Sequence, residues 1–404
     1  MKKKKTCFKI ILRLSVFIGL TFFVVAAVFS ESAAKWLAGL SPFSFGAGAA
    51  TRRTIIGGIL FAVPPLAMLV LALFKGDVFC RWICPTGFLL RLRLRFSPEK
   101  QIIRTPLGGY ILWAVVGASL IGTPFLLFLD PLSTFNRAIV AFRGDWSPGL
   151  LIPALMLPVL MILCFIQPMV WCMRLCPLGY LLRSIKLRKR NHSKTNNGHT
   201  RRQVIIGLCS GAAIAFLGKT VGISRTRGAA TLIMPPGAGD SETFSSLCSR
   251  CFNCVNICPQ NIIRMNTDAR DGLARLFVPE INYDNGYCDE LCSRCSNVCP
   301  TGALQPLDRA AKQEQKIGTA AVEHDRCYAW GLGQRCMICA DTCPYEAIRS
   351  KPRADGLRRP VVVPETCRGC GRCELECPSG SDRKAIRVSG LHQQQTITKS
   401  RKNA

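Results

Sequence analysis

Cys367-Arg368-Gly369-Cys370-Gly371-Arg372-Cys373-Glu374-Leu375-Glu376-Cys377-Pro378 decides how the chain is read, because its first three cysteines stand three residues apart and a fourth closes the run before a proline. The same C-x2-C-x2-C-x3-C-P run occurs in full at Cys248, Cys251, Cys254 and Cys258. It recurs with a widened first gap at Cys288, Cys292, Cys295 and Cys299, and with a long first gap at Cys327, Cys336, Cys339 and Cys343. Pro259, Pro300, Pro344 and Pro378 follow the last thiol of each run. Four runs absorb sixteen of the 23 cysteines, so a repeated ligand set organises the second half of the chain.

This spacing is that of bacterial ferredoxins, in which three close thiolates hold one [4Fe–4S] cube and the fourth reaches a neighbouring cube. Soft thiolates every third residue along a loop can wrap successive corners of one small object. Four cubes is the natural count. Zinc ribbons use paired C-x2-C units with a spacer rather than three thiols followed by Cys-Pro. A disulfide framework suits a small secreted domain with little core. Cys288-x3-Cys292-x2-Cys295 also has radical S-adenosylmethionine spacing, but the fourth cysteine, the proline and three sister runs favour the ferredoxin set.

Working outward, the chain of 404 residues is 49% hydrophobic and carries a net charge of +29. That composition is too apolar for an ordinary soluble protein and long enough for two domains. Residues 1–229 hold 30 Lys+Arg against 5 Asp+Glu, and residues 230–404 hold 23 against 19. The excess charge therefore accompanies apolar segments, where basic loops fix orientation in a membrane. A nucleic-acid partner is excluded, since no basic face with a reading element is visible. Apolar runs lie at about Ile10–Ser30, Ile55–Phe74, Tyr110–Leu129, Leu150–Val170 and Val204–Ile223. Each is long enough to cross a hydrocarbon core of about 30 Å. Pro64, Pro65, Pro153 and Pro158 should kink their helices.

Basic clusters at Lys2–Lys5, at 75–104 and at 174–202 read as cytoplasmic, and the less basic loops at 31–54 and 130–149 as external, with Arg52 and Arg53 the exception. Five crossings then put the ferredoxin half on the outer, periplasmic face of a bacterial inner membrane. Thr200-Arg201-Arg202-Gln203 at the start of the last run resembles a twin-arginine export signal placed internally; it serves equally as a positive flank, as the similar Thr51-Arg52-Arg53-Thr54 does.

A second repeat sits in the apolar half. Phe79-Cys80-Arg81-Trp82-Ile83-Cys84-Pro85-Thr86-Gly87 matches Trp171-Cys172-Met173-Arg174-Leu175-Cys176-Pro177-Leu178-Gly179. Cys80, Cys84, Cys172 and Cys176 can supply four thiolates to one shared site, read as a further Fe–S cluster. Paired structural or redox-active thiols at helix ends are the other reading. Cys7, Cys164 and Cys209 stand alone and read as small buried side chains. Asp130-Pro131 reads as a helix stop ending the third crossing, with proton acceptance from a quinol as the sharper alternative. Only His192, His199, His324 and His392 are present and none lies in an apolar run, which excludes a bis-histidine haem in the bundle. No phosphate loop, Ser-His-Asp set or flavin fingerprint appears, so substrate chemistry is left to a partner.

The first half, with its two C-x3-C-P pairs, resembles NapH-like membrane components of quinol dehydrogenases and the membrane part of NosR-type proteins. Residues from about 200 to 390 resemble the NapG and MauM ferredoxins, down to the Ala329-Trp330 that follows Cys327-Tyr328. Here the two components are fused, and the cytoplasmic ferredoxin tail that usually ends NapH-like proteins is replaced by a fifth helix and an outer domain. The resemblance implies that the first run pairs with the fourth and the second with the third; sequential pairing is the alternative. Arg368 and Arg372 could raise the potential of a nearby cube, or be solvated surface charges.

The expected architecture is a membrane α-helical bundle of about five transmembrane helices followed by an α+β ferredoxin-like polyferredoxin domain. Its parts are a bundle at 1–200, the fifth helix at 201–229, a linker at 230–245, the four-cluster domain at 246–390 and a polar tail at 391–404. The expected function is electron transfer from the quinol pool to a periplasmic reductase or c-type cytochrome, as a component of a quinol dehydrogenase. Maturation or regulation of a partner metalloenzyme is the alternative. One tension stands: the C-x3-C-P pairs and the ferredoxin half fall on opposite faces of an ~30 Å barrier, which a diffusing quinone would bridge.

Overall fold

A computed structural model describes residues 84–92, 107–120, 128–141, 148–166, 170–185, 200–225, 232–268, 275–352, 356–380 and 383–397, with 15, 18, 19, 66–67, 69–74 and 79–80 before them. Most of the first two expected apolar runs, and Cys7, lie outside the described residues.

Helices of the first half are α1 (Pro85–Leu92), α2 (Gly108–Leu120), α3 (Pro131–Ala141), α4 (Pro148–Ala154), α5 (Met156–Ile166), α6 (Pro177–Ser184) and α7 (Arg201–Arg225). Among the described residues no helix is long and apolar enough to cross a membrane. The run expected to be one helix from Leu150 to Val170 is divided instead: Pro153 lies in α4, a turn at Leu155 separates α4 from α5, and a π-helical turn, Trp171–Leu175, precedes α6. Proline removes a backbone donor and crowds the preceding turn, which breaks the run where two prolines stand five residues apart.

α2 and α7 pack backbone to backbone. A Cβ added at Gly211 would overlap the Ala114 carbonyl, and one at Gly117 or Gly207 would stand 2.5 Å from Leu208 O or Trp113 Cβ. Gly207-x3-Gly211 places both glycines on one helix face, the spacing that permits such an approach. α7 begins with a capping box: Gln203 N donates to Thr200 Oγ1 and Thr200 N to Gln203 Oε1, each at 3.3 Å. Asp130, read as a helix stop, stands here at a helix start. It caps the N-terminus of α3, accepting from Ser133 N at 3.2 Å and Ser133 Oγ at 3.0 Å. Cys164 is buried as expected, but Cys209 is exposed.

The second half is α+β, with three antiparallel strand pairs. β1 (Ile263–Met265) pairs with β2 (Pro279–Ile281) between the first and second cysteine runs. β4 (Ile348–Pro352) pairs with β5 (Arg358–Val362) between the third and fourth. β3 (Gln315–Val322) connects the two modules and pairs with β6 (Ile386–Thr396), with a bulge at Lys316/Gly318. The short helices Asn253–Ile257, Arg294–Asn297, Ile338–Asp341 and Arg372–Leu375 each carry the third cysteine of a run.

Residues 391–396, expected as a polar tail, continue β6. Gln394 is buried there and ties the supposed linker down: its Oε1 accepts from Gly237 N and Ala238 N at 3.1 Å, and its Nε2 donates to Met234 O and Pro235 O at 3.1 and 2.9 Å. Thiols are built into the core of this half. Cys248, Cys254, Cys288, Cys295 and Cys370 are buried with Phe244, Ile262, Ile281 and Leu304, while Cys327, Cys367, Cys373 and Cys377 are buried with Ala329, Ile348 and Ile386.

Candidate metal centres

The sixteen expected thiols gather in fours. Cys258 stands with Cys288, Cys292 and Cys295 around one cavity. Cys343 stands with Cys367, Cys370 and Cys373, and Cys377 with Cys327, Cys336 and Cys339. Cys299 faces Cys248, Cys251 and Cys254. Three thiols of one run thus meet the last thiol of its partner, as the spacing implies. The partner is the next run in sequence, not the first with fourth and second with third that the resemblance implied. Each hairpin, β1–β2 or β4–β5, folds a run back on its successor, and short connections make sequence neighbours spatial neighbours. Among the described residues, no three His, Cys, Asp or Glu side chains close on a point that would hold a single ion. A cube is larger than an ion, and thiols ranged around a cavity suit it.

Burial governs the chemistry of these sulfurs. In the cluster-free protein it pushes the Cys248 thiol up to about 11 and those of Cys251, Cys339 and Cys370 up to about 12. Low-dielectric surroundings disfavour a lone thiolate, and bonds to iron replace the solvation it has lost. Cys377 departs from this pattern. Burial raises it too, but hydrogen bonds from Ser379 Oγ, at 2.9 Å, and from the backbone N–H groups of Ser379, Ala385 and Ile386 bring it below its ordinary value.

Lys312 went unnoticed in the sequence. It is buried beside Cys288 and Cys295, and although burial works against its charge, those thiols and Tyr345 hold its pKa above the ordinary lysine value. Only tertiary folding brings it there. Arg368 is no solvated charge: it is buried, its Nε donates to Gln313 O and its Nη2 to Ile397 O, both at 2.9 Å. The cavity of Cys258, Cys288, Cys292 and Cys295 abuts that of Cys343, Cys367, Cys370 and Cys373, since Cys288 N donates to Cys370 O at 2.8 Å.

The helical half builds its pocket differently. Cys84 and Cys176 each precede a helix that starts with proline, a residue whose missing N–H costs nothing at that position. Gly87 N donates to Cys84 Sγ at 3.4 Å, and Gly179 N to Cys176 Sγ at 3.3 Å. Cys84 N donates to Phe79 O at 2.8 Å, and Cys176 N to Trp171 O at 2.7 Å, so the sequence repeat is a structural repeat. Side chains larger than hydrogen are excluded at Gly87 by Cys80 O, 2.6 Å from a built Cβ, and at Gly179 by Cys172 O at 2.8 Å. The two copies face each other: Cys84 lies in electrostatic reach of Cys80, Cys172 and Cys176, and a Cβ on Gly179 would stand 3.6 Å from Cys80 Sγ. Four soft donors, two of them receiving backbone N–H groups at helix starts, fit an iron–sulfur cluster.

Helix α3 joins this pocket to the ferredoxin half. Thr86 Oγ1, between Cys84 and Gly87, donates to Pro131 O at the start of α3 at 3.0 Å. Five residues on, Asn136 Nδ2 donates to Cys251 O at 2.7 Å and to Asn253 Oδ1 at 2.9 Å. The rise between those positions is about 7.5 Å. The C-x3-C-P pocket and the first ferredoxin run are therefore neighbours, and the expected ~30 Å separation is not what the fold adopts. Val140 packs with Phe252 and Met265, and Phe128 stacks on Phe277 at 5.4 Å between ring centres, completing the junction.

Thiols gathered in fours, three from one run and one from the next, define an iron–sulfur protein made of paired ferredoxin modules. Comparison with known proteins gives the same class. A 4Fe-4S dicluster domain family matches residues 247–303 and 334–381, two segments that carry the sequential pairs. A 4Fe-4S binding domain family matches residues 57–104 and 147–194, each with one C-x3-C-P pair. The chain is 34% identical over 183 residues to the methylamine utilization ferredoxin-type protein MauM of Methylophilus methylotrophus, covering 44% of this chain and 79% of that protein. It is 32% identical over 169 residues to the ferredoxin-type protein NapF of Escherichia coli, covering 42% of this chain and 91% of that one. It is 32% identical over 206 residues to the E. coli ferredoxin-type protein NapG, covering 46% of this chain and 83% of that one. No solved structure matches. The chain belongs to the ferredoxin-type 4Fe–4S proteins, and iron–sulfur electron transfer is its role.

Proposed function

We propose that this chain is a membrane-anchored relay that receives electrons from quinol and delivers them to a periplasmic reductase or c-type cytochrome. The observation that carries the reading is contiguity. The C-x3-C-P pocket meets the first ferredoxin run through α3, the first and second runs line a common cavity, the second run abuts the fourth, and the third and fourth runs line common cavities. Cys80, Cys84, Cys172 and Cys176 would hold one cluster and the sixteen ferredoxin cysteines four more; bound clusters would supply one-electron donor and acceptor sites. The protein's own part is to hold each thiol set in a dry pocket, with N–H groups and buried cations placed against negative charge.

Support for anchoring in a bacterial inner membrane comes from the surface of the helical half, in a fusion of NapH-like and NapG-like parts. It exposes Ile152, Leu155, Val159 and Ile162 on and between α4 and α5, and Ile205, Ile206, Ile214, Phe216 and Leu217 on α7. Exposed apolar surface of that extent marks contact with lipid or another protein. Close glycine packing of α2 on α7 suits helices that associate without a hydrophobic driving force. Among the described residues of the ferredoxin half, the large exposed hydrophobics are Leu291, Leu332 and Ile338.

Anaerobic purification in detergent, iron and labile-sulfide analysis, and EPR before and after a reduced menaquinone analogue test this reading. Iron close to five cubes per chain with signals appearing on quinol addition is the expected result. Full clusters that quinol leaves oxidised would overturn the quinol assignment, and zinc in place of iron would overturn the relay itself.

A further inference from the structure

Arg137 on α3 is wholly buried, at 0% exposure. Its Nη2 donates to the Phe128 carbonyl and, at 2.9 Å, to Thr134 Oγ1, whereas Nε and Nη1 have no hydrogen-bond partner among the described residues. The guanidinium lies 3.8 Å from the centre of the Phe128 ring, which stacks on Phe277 of the ferredoxin half. The charged or titratable groups facing it are Asp130, Cys251 and Arg250. Arg250 is a second buried cation at the same place: its Nε donates to Leu276 O at 2.9 Å and its Nη1 to Cys248 O at 3.1 Å.

A guanidinium keeps its proton at any ordinary pH. Buried, it is costly unless negative charge faces it. Two buried guanidinia and one facing carboxylate leave an excess of positive charge beside Cys248 and Cys251. A cube held by four thiolates is net negative and becomes more so on reduction, and local charge is one of the terms that set its potential. The excess therefore matches what the pocket of the first run would hold.

We propose that Arg137 sets the potential of the first-run pocket: its buried charge favours the reduced state of a cluster held by Cys248, Cys251, Cys254 and Cys299, at the junction with the C-x3-C-P pocket. The proposal rests on the reading that those four thiols hold a cube. Position supports it, because Arg137 adjoins Asn136, whose side chain holds the Cys251 carbonyl, and lies two helical turns from Asp130, which faces Cys176.

The test uses the full chain, purified anaerobically, with Arg137→Met, Arg137→Lys and Asp130→Asn variants and an EPR-monitored redox titration of each. Arg137→Met should retain the parent's iron and sulfide while one signal, the one that Cys251→Ser removes, becomes harder to reduce. At a fixed ambient potential its reduced-to-oxidised ratio should fall at least tenfold, which is 59 mV for a one-electron couple. Arg137→Lys should restore most of that loss. Asp130→Asn keeps a competent helix cap while removing a negative charge, so the same signal should become easier to reduce, a result that stands even where Arg137→Met fails to fold. Signals that titrate as in the parent with iron intact, or that shift equally at every cluster, would overturn the proposal alone. A parent without iron would overturn the cluster reading and the proposal with it.

Discussion

The two halves of this protein build thiol pockets by opposite means. In the helical half each pair belongs to a helix start, with Cys84 and Cys176 ahead of a proline and a glycine three residues on whose N–H points back at the sulfur. Packing of long elements places those thiols. In the ferredoxin half they sit on loops and four-to-five-residue helices, and nine of them are buried within its two core clusters. There the thiols are part of the core itself, so folding and cluster binding are expected to be coupled. The comparison teaches that one ligand chemistry can be placed by a scaffold or can itself be the scaffold.

The sharpest way to break that comparison is to remove single thiols. Cys258→Ser and Cys292→Ser should each abolish the same EPR signal, and Cys251→Ser and Cys299→Ser a second one, because the pairs share cavities across sequential runs. If Cys258→Ser instead removed a signal shared with Cys367, the pairing of first run with fourth would stand. Next in size is a change in the helical scaffold. Gly211→Leu drives a side chain into the Ala114 carbonyl and should cost about 1–3 kcal/mol by forcing α2 and α7 apart. Thermal unfolding should show the loss while the four ferredoxin signals persist; their disappearance would mean that the halves do not fold by separate rules.

Gln394→Ala probes the ferredoxin half where its stability does not come from sulfur. Removing a buried amide that serves three donors and two acceptors should cost about 1–3 kcal/mol. Raised protease sensitivity around residues 232–240 with unchanged iron is the expected readout. The smallest effect concerns Ser379. Hydrogen bonds to Cys377 hold its pKa below the ordinary value, so their stabilisation of the thiolate is present at higher pH and lost as pH falls through the folded pKa. Ser379→Ala should therefore move the onset of acid-induced loss of that cluster to higher pH, followed by the decay of visible absorbance on acid titration. An unchanged profile would show that the backbone N–H groups alone hold the sulfur.

Ligand chemistry was legible in the chain because a cube needs several thiols at short, regular spacing, and loops of that kind record it locally. The duplicated C-x3-C-P-x-Gly stretch was legible for the same reason, down to glycines that now prove to be sterically required. Asp130 was readable as a helix boundary but its side was not, since Asp-Pro can end one helix or cap the next. Gly207-x3-Gly211 was present in the sequence as a packing signal, yet its partner face, Ala114 and Gly117, is nearly a hundred residues away.

The sequence by itself determined which atoms bind: soft donors, their number, and their grouping into runs, because coordination chemistry is dictated by residue type and local spacing. Tertiary structure alone decided which runs share a cavity, that the C-x3-C-P pocket touches the first run through α3, and that Arg137, Arg250 and Lys312 are buried beside thiols. Hairpin direction, helix packing and burial are sums over many weak contacts between distant residues, and no short stretch of chain contains them.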